Sequence, residues 1–169
     1  MLKLTGEHFF MGTTCKLHFN APSSALTCDK NLIHSVLKGR LLVLVAHQDD
    51  ETACAGLLQR SSDRSIVYAT DGAPPDHFFW ARHGSQEAYA GVRRSEASAA
   101  TAKIGVSNLE FLNFGDQLLY CALDAAFLAV FDIVRRYKPD TVLVPAYEGG
   151  HPDHDSCSFL GALSGESWD

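Results

Sequence analysis

Two short stretches of the sequence collect the side chains that bind metal ions and activate water. The first is His47-Gln48-Asp49-Asp50-Glu51, and the second is His151-Pro152-Asp153-His154-Asp155. Adjacent carboxylates repel one another, and a cation among them relieves that repulsion. Because histidine accompanies the acids in both stretches, the pattern indicates that this cation is a metal ion.

Each stretch follows a short apolar run of the kind that forms a buried strand. Leu41–Val45 precedes the first stretch, and Thr141–Pro145 precedes the second. In an open α/β sheet, ligands bind beyond the carboxyl ends of the strands. If the two strands lie parallel in one sheet, both stretches reach the same edge, and we expect them to form a single site.

The residue types in these stretches favour metal-assisted hydrolysis of an amide. Two imidazoles and one carboxylate can hold Zn²⁺ or Fe²⁺ with positions left open. One member of the Asp49-Asp50 pair can bind the ion while its neighbour stays free. The ion lowers the pKa of a bound water towards roughly 7, and the free carboxylate accepts its proton. Residue types alone leave zinc and iron as alternatives.

The rest of the chain alternates between strand and helix patterns. Strands are predicted at 40–46, 65–70, 109–114 and 141–145, with a further short strand at 16–19. Helices are predicted at 27–38, from near Thr52, at 85–104, at 123–137, and from near Asp155 to about Leu163. This alternation predicts an α/β fold with a mainly parallel sheet. We expect residues 1–39 to be an N-terminal extension with a peripheral helix, and residues 40–169 to be the catalytic domain.

Length, net charge and cysteine content exclude several classes of protein. The length of 169 residues fits one domain, and a net charge of −6 argues against a nucleic-acid-binding surface. Five scattered cysteines, an odd number, favour reduced thiols in a cytoplasmic protein. No apolar run is long enough to cross a membrane, and the N-terminus lacks a secretory signal pattern.

Several residues near the two stretches have alternative roles. Phe78, Phe79 and Trp80 lie in a predicted loop at 73–84, where they either cover a substrate or pack beneath the loop. Tyr147 either lines the pocket or packs. Asp116 either caps the segment that follows it or takes part in the site.

The two stretches resemble the paired signatures of a known enzyme family. Ala46-His47-Gln48-Asp49-Asp50-Glu51 and His151-Pro152-Asp153-His154 are similar to Ala-His-Pro-Asp-Asp-Glu and His-Pro-Asp-His of the LmbE-like, or PIG-L-like, N-acetylglucosaminyl deacetylases. Further similarity lies in Thr70-Asp71-Gly72, in Arg93 with Glu96, and in Phe114-Gly115-Asp116. The resemblance spans about 40–160, with Gln48 in place of the family proline.

The resemblance implies a Rossmann-like three-layer sandwich and a zinc-dependent removal of acetyl groups from N-acetylglucosamine-type sugars or related small amides. By motif position, His47, Asp50 and His154 would ligate zinc, with Asp49 as general base.

The same resemblance assigns three further roles by motif position. His151 would stabilise the oxyanion or act as general acid, and Asp153 would orient it. Arg93 would reach the substrate.

Two alternatives and one structural expectation accompany this hypothesis. Family members continue well past the second motif, so we expect the C-terminal part of the family fold to be missing. One alternative is therefore a non-catalytic member that binds only metal. The other is a receiver-like Mg²⁺-binding signalling domain with Asp116 as phosphoryl acceptor. Unfinished sheet edges would favour a homo-oligomer.

Overall fold

The structure, a computed structural model, describes residues 7–11 and 30–166. The strands are β1 (Glu7–Met11), β2 (Arg40–Val45), β3 (Asp63–Thr70), β4 (Leu109–Phe114) and β5 (Thr141–Pro145). The helices are α1 (Lys30–Lys38), α2 (Ala55–Arg60), α3 (His77–Trp80), α4 (Gln86–Lys103), α5 (Leu123–Tyr137) and α6 (Pro152–Glu166). Short 3₁₀ segments cover Asp50–Cys54 and Leu119–Ala122. The strand predicted at 16–19 and the first residues of the helix predicted at 27–38 lie outside the described residues.

The five described strands form one parallel sheet in the order β1-β5-β2-β3-β4. This arrangement confirms the predicted α/β fold. β2 lies at the centre, and Leu41–Val45 is wholly buried because helices cover both faces of the sheet. β2 and β5 are direct neighbours, with Leu41 opposite Thr141 and Val43 opposite Leu143. The ends of these two strands therefore lie side by side.

Alternate residues of a strand face opposite sides of the sheet and pack in two separate cores. The fold therefore has three layers, with helices on each side of the sheet. On one face, Leu42 and Leu44 pack in a cluster that includes Val130 of α5 and Leu160 of α6. On the other face, alternate β2 residues pack with α1, α2 and α4 through a second cluster: Val36, Leu41, Val43, Val45, Leu58 and Ala97. The period-two alternation of a strand thus builds both cores from one sequence run.

α6 lies very close to the sheet. A Cβ atom added at Gly161 would come within 2.4 Å of Cγ1 of Val144 in β5, so only glycine allows this approach. The helix was predicted to begin near Asp155, but it begins at Pro152. Proline is favoured at the first helical position, and Asp153 and Asp155 complement the helix dipole in the first turn. The second motif is therefore the first turn of a helix.

Other differences from the predicted elements are local. β1 was not predicted, and it pairs with β5 at one edge of the sheet. The loop predicted at 73–84 contains the single turn α3, which Asp76 caps by accepting from the backbone N of Phe78 at 2.9 Å. The segment from Asp50 begins as a 3₁₀ turn before α2.

Within the described residues, no helix has the length and apolar character needed to cross a membrane. Among the same residues, Cys54, Cys121 and Cys157 are free thiols.

Candidate active site

The first motif forms a tight turn at the end of β2. The backbone N of Asp50 donates to the carbonyl of His47 at 3.4 Å, and the backbone N of His47 donates back to Oδ2 of Asp50 at 2.8 Å. His47 and Asp50 are therefore held against each other. Gln48, between them, is buried, whereas Asp49 projects outwards with its side chain 64% exposed.

The second motif enters the same edge of the sheet from β5. The ring centroids of His47 and His154 are 5.3 Å apart, and those of His47 and His151 are 4.8 Å apart. Asp155 holds the connecting loop, since its Oδ1 accepts from the backbone N of Glu148 at 3.0 Å. The structure thus brings the two distant motifs together.

Three side chains converge with the spacing that one metal ion requires. Oδ2 of Asp50 lies 3.5 Å from Nδ1 of His47 and 3.3 Å from Nε2 of His154. Two atoms bound to one tetrahedral zinc ion at about 2.0–2.2 Å lie roughly 3.3–3.5 Å apart. Among the described residues, the buried Nε2 of His154 makes no well-aligned hydrogen bond and has only the contact with Asp50, which fits a ligand atom. The residues present therefore fit a divalent cation.

Asp153 is fully buried and contacts His47, one of the three converging side chains. Its Oδ2 contacts Nε2 of His47 at 3.2 Å and accepts from the backbone N of Gln117 at 2.6 Å, while Oδ1 accepts from Leu119 N at 3.1 Å. With Nε2 of His47 donating to this carboxylate, Nδ1 is left free to face Asp50. A carboxylate behind a ligating histidine fixes the tautomer and the ring orientation.

Asp153 contacts His151 through its backbone and His47 through its side chain. Its carboxylate contacts His47, and its backbone N donates to Nδ1 of His151 at 3.2 Å. Since Nδ1 accepts, the neutral ring carries its proton on Nε2. Asp153 thus orients both histidines, one through its side chain and one through its backbone.

The electrostatics of the site favour a positive charge at its centre. Burial alone would lower the pKa of His47, but the surrounding carboxylates, led by Asp116 and Asp153, outweigh it and raise that pKa to about 11. Burial would raise the pKa of Asp50, but His154 and His47 hold it below its usual range. Because the acids stabilise a cation on the imidazole, they would also stabilise a metal ion in the proton's place.

Asp116 lies at the site, which is one of the two roles expected for it. It is 5% exposed, and its Oδ1 lies 3.4 Å from Nε2 of His47. Asp71 positions it, because Oδ1 of Asp71 accepts from the backbone N of both Asp116 at 3.2 Å and Ala73 at 3.0 Å. The similarity of Phe114-Gly115-Asp116 to a family position was the available signal.

Arg93 of α4 reaches the site through Asp49. Its Nη2 lies 3.1 Å from Oδ2 of Asp49, and its Nη1 lies 3.4 Å from Oε2 of Glu96. The Arg93 side chain is only 19% exposed, so this ion pair is better shielded than an ordinary surface pair. Burial would lower the pKa of Arg93, but Asp49 outweighs it and raises that pKa.

The assembled groups face a cleft of about 330 Å³, near the lower end of small-molecule sites. Five of its lining residues are polar and form what we call the polar wall: His47, Asp49, Asp116, Gln117 and His151. We call Pro74, Phe79 and Tyr89 the aromatic wall, and Arg93 and Gly72 also line the cleft. Phe79 is 47% exposed and Phe78 is 81% exposed, so neither packs beneath the loop.

Tyr147 is not among the residues that line this cleft. Its side chain is 71% exposed on the loop after β5, so it does not pack into the core either. A substrate contact by Tyr147 stays a prediction.

Comparison with known proteins identifies the class to which this fold and site belong. The sequence model of the PIG-L family, described as GlcNAc-PI de-N-acetylase, matches residues 42–163. The chain therefore belongs to the PIG-L family, as the two motifs predicted.

Solved structures agree with this assignment. The N,N'-diacetylchitobiose deacetylase from Pyrococcus horikoshii is 25% identical, with a TM-score of 0.63 over 75% of this chain and 49% of that one. A deacetylase of the antimicrobial A40926 pseudoaglycone is 23% identical, with a TM-score of 0.63 over 75% and 59%. The 4-carboxy-2-hydroxymuconate hydratase of Pseudomonas putida is 23% identical, with a TM-score of 0.59 over 74% and 55%.

The last two likenesses establish the fold alone. The chain spans about half the length of the chitobiose deacetylase and 59% of the pseudoaglycone deacetylase.

Proposed function

We propose that this protein is a zinc-dependent deacetylase that removes the acetyl group from an N-acetylglucosamine-type sugar or a related small amide. The observation that carries this proposal is the convergence of Asp50 on His47 and His154, beside an outward-facing Asp49 and a cleft. Membership of the PIG-L family supports it.

His47, Asp50 and His154 would hold the ion through Nδ1, Oδ2 and Nε2, respectively. A bound divalent ion supplies Lewis-acid polarisation of the acetyl carbonyl and lowers the pKa of water. Iron(II) would fit the same donor set, so the identity of the ion is part of the proposal.

Asp49 would be the general base that takes a proton from the attacking water. It is the carboxylate of the pair that faces the cleft, whereas Asp50 is turned towards the histidines. Arg93 would hold Asp49 in place and present its remaining donors to substrate hydroxyl groups or to an anionic group.

His151 would donate a hydrogen bond from Nε2 to the developing oxyanion, and Asp49 would pass the proton that it took from water to the leaving amine. The backbone N–H of Asp153 supports this role because it keeps Nδ1 of His151 as the acceptor. The carbon–nitrogen bond then breaks, acetate leaves with the oxygen of water, and the sugar leaves as a free amine.

The test is release of free amine from N-acetylglucosamine conjugates by protein stripped with a chelator and reloaded. Zn²⁺ is expected to restore activity, and anaerobic Fe²⁺ provides the comparison for metal identity. His154→Ala should be inactive with either metal. Hydrolysis that survives both chelation and His154→Ala would contradict the proposal.

A second candidate is a metal-binding member without turnover. The observation that favours it is that the converging His47, Asp50 and His154 would hold an ion whether or not turnover follows. Zinc at one equivalent without any amine release would support this candidate. The receiver-like alternative is contradicted by the family match.

A further inference from the structure

The side chain of Gln48 occupies an unusual place between the two proposed ligands of the first motif. Gln48 is 3% exposed, and its Nε2 donates to the carbonyl of Thr70 at 2.7 Å. Because a carbonyl only accepts, this bond fixes which end of the amide carries the nitrogen.

This bond replaces one rung of the parallel sheet. The backbone N of Thr70 donates to the carbonyl of Ala46 at 3.0 Å, as the β2–β3 register requires. In a parallel ladder, the next rung would run from the backbone N–H of residue 48 to the carbonyl of Thr70. The Gln48 side chain makes that contact instead, so the backbone can turn out of the sheet while the pairing is completed.

Thr70 is tied to the same point by its own side chain. Its Oγ1 donates to the carbonyl of Ala46 at 2.8 Å and accepts from the backbone N of Gly72 at 3.3 Å. The end of β3 is therefore hydrogen-bonded to Ala46, the residue before His47, and to Gln48, the residue after it.

Gly72 provides the space for the Gln48 amide. Its φ is +66°, a conformation that favours glycine, and a Cβ added there would lie 1.8 Å from Oε1 of Gln48. A side chain at position 72 and the present Gln48 conformation therefore exclude each other.

We infer that Gln48 is a positioning residue whose amide locks the turn after β2 onto β3 and thereby sets His47 and Asp50 for metal binding. The lock consists of Gln48, Thr70 and Gly72. This inference rests on the metal site of the proposed function.

The first test measures zinc affinity of the full chain by competition with a chromophoric chelator. Gln48→Met keeps the length of the side chain but removes the donor, and we expect the zinc Kd to rise about tenfold or more. Gln59→Met, at an exposed position on α2, is the matched control and should stay within twofold of wild type. Gln48→Met with wild-type affinity would overturn the inference.

The second test asks whether the effect of substituting Gly72 on zinc affinity depends on the residue at position 48. Gly72→Ala alone should weaken zinc binding, because the new methyl group collides with the amide. In a Gln48→Ala background, the same change should weaken zinc binding by a smaller factor than in wild type, because only the strain of the positive φ remains and the colliding side chain is gone. Independent, multiplicative effects of the two substitutions would contradict the lock.

A metal-free readout separates the lock from the catalytic proposal. In chelated protein, we would measure the urea midpoints of wild type, Gln48→Ala, Gly72→Ala and the double variant. The effects of the two substitutions on the midpoint should show the same non-additivity. Wild-type protein that binds zinc but releases no amine would end the deacetylase proposal and leave the lock intact. Midpoints that simply add would end the lock and leave the deacetylase proposal standing.

Discussion

The two walls of the cleft are built on different principles. The polar wall is placed by buried strand ends: Asp153 is fully buried, and it joins the α6 start to His47 and to the segment after β4. The aromatic wall takes Phe79 from α3, a single turn in a loop, and Tyr89 from α4, and Phe79 is 47% exposed. The contrast teaches that buried strand ends position the polar groups, whereas an exposed single turn positions part of the aromatic wall.

The largest effect is expected from removing a proposed metal ligand that is shared with His47 of the polar wall. His154→Ala leaves Asp50 and His47 without their third partner, and we expect loss of zinc binding and a fall in kcat/KM of about 10³-fold or more. Zinc content by elemental analysis and amine release are the measurements. His34→Ala, at an exposed position on α1, is the control, and a zinc-replete His154→Ala protein would refute the assignment.

The next largest effect is expected from substituting Asp153, the buried carboxylate that contacts His47. Asp153→Asn preserves shape but weakens the acceptor for His47, so zinc affinity or activity should fall about 10–100-fold. Asp155→Asn, which touches only the loop amides of Glu148 and Gly149, should cost clearly less. Equal losses in the two variants would show that Asp153 is merely structural.

Arg93 spans the two walls, and its substitution should have an intermediate effect. Arg93→Lys replaces a planar, forked guanidinium with a single ammonium group, and we expect kcat to fall about tenfold as Asp49 loses its fixed partner. A loss confined to KM would assign Arg93 to substrate binding alone. Arg94→Lys, one residue along the same helix, is the control.

The smallest effect should come from the aromatic wall. Phe79→Ala removes a cleft-lining ring, so KM should rise about fivefold while kcat stays within twofold, as for uniform binding. Phe78→Ala, which is 81% exposed and does not line the cleft, should match wild type. A large kcat loss in Phe79→Ala would remove the distinction between the walls.

The sequence predicted the elements whose signals are local. The bounds of β4, α5 and β5 agree with their predictions because apolar periodicity and clear stop residues define them. The meeting of the two motifs also followed from the sequence, since parallel strand ends share one edge of a sheet.

What the sequence could not predict depends on contacts between distant residues. β1 is a strand through its pairing with β5, and its own pattern gave no signal. Asp116 becomes a site residue because Asp71, from a neighbouring strand end, holds its backbone. The Gln48–Thr70 hydrogen bond also joins residues that are distant in the sequence, and the local sequence around either residue does not predict it.

The distance along the chain between the two motifs has a consequence for folding. His47 and Asp153 are 106 positions apart, yet their side chains touch. An ion gripped by His47, Asp50 and His154 would act as a removable cross-link that closes a very large loop. Loops of this size lose much chain entropy on closure, so metal capture would restrict the unfolded ensemble much as a disulfide does. The cation would then stabilise the folded protein against unfolding in addition to its role in the proposed reaction.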